Sequence, residues 1–158
     1  MTTKDAFTED DWTRVRRAPL VAGLAISIAD PGGPIEAAKE SMATLKNAVN
    51  PPTHEQLLTE VALDIQAMSQ SRENPLKGFK PSGPNPGEAV LDELRGVLTI
   101  VSAQATPEES AAFGAWLVAA AQAAAEAAKD GGFLGFGAQQ VRDREQAMVD
   151  QVRAAVAG

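Results

Sequence analysis

Apolar positions recur at steps of three and four along most of this chain, which places them on single faces of α-helices. Leu57, Val61, Ile65 and Met68 form one such face. Leu91, Leu94, Leu98 and Val101 form another, and Phe113, Trp116, Leu117, Ala120 and Ala124 a third. Val141, Met148, Val149, Val152 and Val156 repeat the pattern near the end. "LVAGLAISIA" (20–29) is apolar nearly all round, as in a helix buried on most sides. No run alternates long enough for a strand, and β-branched residues are scattered. The pattern predicts an all-α fold: one domain over 1–158, a compact bundle of five to six helices.

Capping residues set the boundaries. Thr8 precedes Glu9, Asp10 and Asp11, three carboxylates where the helix dipole favours them, and predicts a helix over about 9–29. Pro19 falls inside it and predicts a kink or a split, because its ring removes a hydrogen bond and restricts Ala18. "DPGGP" (30–34) is a turn, and Pro34 opens a helix that ends near 48, before Asn50-Pro51-Pro52. Thr53 and Gln56 have the spacing of a capping box for the next helix. Residues 71–87, "SRENPLKGFKPSGPNPG", form a Pro/Gly-rich loop in which regular structure is not expected and mobility is. Asn85, Pro86 and Glu88 start the following helix. Thr106, Pro107 and Glu109 start another, which runs to Lys129. A last helix covers about 139–157.

Composition narrows the chemistry. Hydrophobic residues make up 44% of the chain, much of it alanine, and aromatics only 4%, so helices should approach closely. The net charge of −7 argues against a nucleic-acid surface, which needs a basic patch. With no cysteine, disulfides, thiolate catalysis and Cys-based metal sites are excluded. The one histidine, His54, reads as an exposed residue near a helix start. "MTTKDAFTEDDW" lacks an apolar signal core, and the alanine-rich run at 111–128 carries Gln122 and Glu126, so no membrane span and a cytoplasmic setting are expected.

The two ends of the chain echo each other. Each has a capped acidic helix start, then Leu-Val (20–21; 117–118), a run of small apolar residues, and an aspartate, Asp30 or Asp130, close to a Gly-Gly pair. A charged helix follows, with Glu36 in one and Glu145 in the other. This reads as a pseudo-twofold pair of helix–turn–helix units, with two small-residue helices crossing at the centre. The twice-used pattern resembles the TerB-like family associated with bacterial tellurite resistance, over about 30 residues at each end. The resemblance implies an all-helical domain and binding of a divalent cation, Ca or Mg, by acidic residues near the turns. In this chain Asp30 is followed by Pro31, and "FLGFGAQQ" lengthens the second turn.

Two candidate sites follow. Asp30, Glu126, Asp130 and Glu145 are the candidate metal ligands: Asp130 closes a helix, Glu126 lies one turn earlier, and Glu145 could return across the loop. Against this stands the simpler reading of a helix stop with solvated carboxylates. In "GGFLGFG", Phe133, Leu134 and Phe136 either lid the core or form a binding surface; the segment is not a phosphate loop, since no strand precedes it and no Gly-Lys-Ser/Thr follows. The leading expectation is a non-enzymatic cytoplasmic binding or interaction protein, its partner another protein or a second copy as a homodimer. The alternative is a TerB-like stress protein holding a divalent cation. An enzyme would have to work with carboxylates alone.

Overall fold

A computed structural model describes residues 2–29, 34–81, 83–130 and 138–157; for 34–36, 128–130 and 138–142 it describes the backbone alone. After a short 3-10 turn, Lys4–Ala6, come α1 (Glu9–Ala29), α2 (Pro34–Ala48), α3 (Gln56–Gln70), α4 (Pro86–Gln104), α5 (Pro107–Asp130) and α6 (Ala138–Val156). The fold is an all-α helical bundle, with no strand among the described residues.

α1 and α5 form its centre, and each packs against every other α-helix. Both bury small residues there: Ala18, Ala22 and Ala25 on α1, and Ala120, Ala121 and Ala124 on α5, are fully buried. Distance between packed helices depends on the side chains at the contact, so alanine brings the neighbours close. Larger groups fill the rest. Phe113 and Trp116 meet edge to face with centroids 6.0 Å apart, and Leu57, Leu58, Ile65 and Leu94 close the core from α3 and α4. The helical faces predicted on α3, α4 and α5 are the buried ones, except that Met68 lies at the margin.

Pro19 does not split α1, which runs through it as one helix with the proline buried. The α4 start is as expected: Asn85 accepts a hydrogen bond from Glu88 N at 3.2 Å. The α3 start is not. The helix begins at Gln56, its N-cap is Glu55, and no side chain of its own caps it. Glu109, 52 residues further on, does so instead: its carboxylate accepts from Leu57 N at 3.3 Å.

Glu109 therefore has two roles. Within its own helix it completes the capping box, with Glu109 N donating to Thr106 Oγ1 at 3.1 Å. Across the fold it accepts from Thr2 N at 3.0 Å and from the Thr2 hydroxyl at 2.6 Å. Burial pushes the carboxyl's pKa up, but the Thr2 hydroxyl and the backbone N–H groups of Thr2, Thr106 and Leu57 outweigh burial and hold it down at about 2. One carboxylate thus fastens the N-terminal segment, the start of α3 and the start of α5.

Candidate functional site

α1 and α2 run antiparallel, because Gly23 meets Thr44 while Ser27 meets Glu40. Each pair of positions is four apart on its helix, so each occupies one face. A Cβ on Gly23 would lie 2.2 Å from Thr44 Oγ1, closer than any side chain tolerates. Glycine at this position is what permits the approach. Thr44 turns its hydroxyl back to the Glu40 carbonyl at 2.8 Å, and is itself 4% exposed.

Beside this contact lies a cleft of about 210 Å³. Leu20, Leu24 and Ser27 line it from α1, and Glu40, Ser41, Thr44 and Leu45 from α2. Asn74, Pro75 and Leu76 close the third side. Most of this lining is hydrocarbon. Among the described lining residues Glu40 is the one ionisable side chain; it is 3% exposed and accepts a hydrogen bond from the Ser27 hydroxyl. Apolar walls with a small number of placed polar groups are the usual build of a small-molecule site.

The third wall belongs to the segment expected to be mobile. It lacks regular structure, as its prolines require, but it is folded against the bundle. α3 ends in a Schellman turn, with Glu73 N bonding to Met68 O at 2.8 Å and Arg72 N to Ser69 O at 3.1 Å. Asn74 Oδ1 then takes Leu76 N at 3.0 Å, and Phe79 N returns to Leu76 O. Leu76 and Phe79 pack against the core. The Arg17 guanidinium sits 5.5 Å from the centre of the Phe79 ring, and is held by Glu93 at 3.2 Å. Arg14 grips the same carboxylate at 2.8 Å. Positive φ at Gly78 lets the chain turn under Arg17, where a Cβ would come within 3.2 Å of its Nη1. This strap is tied at both ends of the cleft wall it forms.

The residues singled out from sequence fall elsewhere. Phe133, Leu134, Phe136 and Asp30 lie outside the described residues, and Asp130 closes α5 with its backbone alone described. Glu126 is exposed on α5 and accepts from Gln122 Nε2 at 2.9 Å. Glu145 lies on α6, 1% exposed. Among the described residues no group of three or more His, Asp or Glu side chains is placed to hold a metal ion. His54 is exposed, as expected. Nor is any described helix long and apolar enough to cross a membrane.

The cleft residues Gly23, Ser27, Glu40 and Thr44 were not among the sequence candidates. Their one signal was Gly23 and Ser27, four apart, interrupting an otherwise apolar helix. Comparison of this chain with family models, with curated proteins and with solved structures returns no match.

Proposed function

We propose that this protein is a non-enzymatic binding protein whose α1–α2 cleft receives a small, largely apolar ligand. The observation that carries this reading is the apolar cleft with one buried carboxylate, Glu40, and its Ser27 donor in the wall. Among the described lining residues there is no imidazole or amine, and the Ser27 hydroxyl donating to the Glu40 carboxylate supports a recognition pair over an activated nucleophile. The walls come from two core helices and a pinned strap, so the site is formed before a ligand arrives, and little ordering cost opposes binding.

A fragment screen read by methyl NMR tests the reading. Small apolar fragments should shift the methyl signals of Leu24, Leu45 and Leu76 together. Leu24→Trp, which fills the cleft from a half-buried position, should weaken those fragments by at least about tenfold, the value of roughly 1.4 kcal/mol of lost contact. Shifts that persist unchanged in Leu24→Trp, or a screen in which no fragment moves these methyls, would remove the cleft as the site.

A further inference from the structure

We propose that the groove between α2 and α3 docks an amphipathic α-helix of a partner protein, one whose apolar stripe is flanked by carboxylates. The groove is a second surface, sharing only Leu45 with the cleft, and its role does not depend on the cleft reading.

The shape comes from the packing. α2 and α3 both rest on α1 and α5, and a groove of about 370 Å³ runs between them. Met42, Leu45, Lys46 and Val49 form its α2 wall, and Gln66, Ser69 and Gln70 its α3 wall. Both sets recur at helical steps, so each wall is one helix face.

The apolar part of this surface stands open to solvent. Among the described residues Met42 and Leu63 are the two exposed large hydrophobic side chains, at 72% and 58%. Met42 lines the groove, and Leu63 lies one turn before Gln66 on the same face of α3. Leu45 and Val49 are half-buried between them and the core. Single exposed hydrophobic residues are ordinary, but two flanking one groove are the mark of a contact surface.

Charge selects the occupant. Lys46 is the one ionisable side chain among the described lining residues. Lys39 precedes it by seven positions on α2, so the two lysines bracket Met42 along one face. Both are exposed, and no described carboxylate pairs with either. The carboxylates of α3 are engaged elsewhere: Asp64 by Trp12 Nε1 at 2.7 Å and Lys4 Nζ at 3.4 Å, and Glu60 by Lys4 N at 2.6 Å. A chain of net charge −7 thus presents an apolar groove with a basic margin, which suits an acidic partner. Both walls are helices with their backbone groups bonded internally, so they offer no strand edge to a peptide. A segment lying on them must satisfy its own backbone, and an α-helix does so. A twofold contact between copies would set the same surface on both sides and bring the lysines no carboxylate.

Two hydrocarbon-stapled helical peptides, titrated into the full chain and followed by fluorescence anisotropy, test this. Both carry leucines at steps of three and four; one has flanking glutamates and the other flanking lysines. The glutamate peptide should bind at least about tenfold more tightly and shift the Met42 and Leu63 methyl signals in NMR. Met42→Glu should weaken it at least about tenfold, and the pair Lys39→Glu with Lys46→Glu should reverse the order of the two peptides. All three positions are exposed, so circular dichroism of these variants should match wild type. The wild-type comparison decides even where a variant fails to fold. Equal binding of the two peptides, or no methyl shift at millimolar glutamate peptide, would overturn the proposal. So would a wild-type dimer, seen by sedimentation velocity, that Met42→Glu abolishes, since the occupant is then a second copy. Binding to phosphatidylserine vesicles that is lost in the lysine pair variant would likewise replace the partner helix with a membrane surface.

Discussion

Glu109 joins parts of the chain that are distant in sequence, and its charge state governs how firmly. Its pKa of about 2 lies below the ordinary 4.5, so folding favours the ionised form. The stability this provides is full above pH 4.5 and is lost as pH falls toward 2. Glu109→Gln keeps the shape but turns a charged acceptor into a neutral amide whose NH2 faces donors. Hydrogen bonds to a charged group contribute about 1.5–3 kcal/mol, so the variant should be less stable by about 2 kcal/mol at pH 7. The gap between wild type and variant in urea midpoint should narrow as pH drops from about 5 to about 2, the window of this depressed carboxyl. A constant gap across that range would show that the ionised form is not what holds Thr2 and Leu57. Gly23 makes a second case at this scale. Gly23→Ala should cost about 1–3 kcal/mol, despite alanine's better helix propensity, because the new methyl overlaps Thr44. Thr44→Ala in the same chain should recover part of that loss, measured by thermal denaturation of the double-mutant cycle.

At the scale of elements, the end of α3 is held in a conformation its residue does not prefer. Arg72 has φ 58°, the left-handed region, at the position after the helix cap where glycine is usual. Arg72→Gly removes the Cβ conflict at the expense of a more flexible unfolded chain, and should leave a net gain of up to about 1 kcal/mol. Urea denaturation checks it; a loss of stability would mean that the arginine side chain contributes more than the strain it brings. The sequence pattern missed this turn because neither glycine nor asparagine marks it. It located helix starts well where the signal was local, as at Asn85–Glu88 and Thr106–Glu109, whose partners lie three residues apart. It misplaced the cap of α3, because Thr53 and Gln56 carry the right letters while the actual cap comes from α5. The loop at 71–87 was legible as irregular from its prolines, but its docking depends on Arg17 and Glu93, which no local window joins to Phe79. The cleft was hidden for the same reason. Glu40 reads as one more polar position on an amphipathic helix until Gly23 brings α1 against it.

Across the whole molecule, the central position of α1 and α5 predicts how the protein unfolds. Since each packs on every other α-helix, no helix can leave without uncovering part of both. Unfolding should therefore be a single cooperative transition. The two tryptophans are natural reporters of separate regions. Trp12 lies against Phe7 and donates its Nε1–H to Asp64 of α3 at 2.7 Å, whereas Trp116 donates to the Asn47 carbonyl of α2 at 3.1 Å. Trp12→Phe and Trp116→Phe each leave one fluorophore, and in each variant the fluorescence midpoint in urea should coincide with that of far-UV circular dichroism. The same coupling carries ligand binding to the whole fold. A cleft ligand at 100 times its dissociation constant adds about 2.7 kcal/mol to the folded state. For a domain of this length that is a rise of roughly 5–10 °C in Tm. Because α1 lines the cleft and also holds α3 through Trp12, both fluorophores should report the full rise. A ligand that raised the Trp116 midpoint and left that of Trp12 in place would mean that the α1–α2 hairpin and the α3 face unfold as separate units, and that α1 does not couple them.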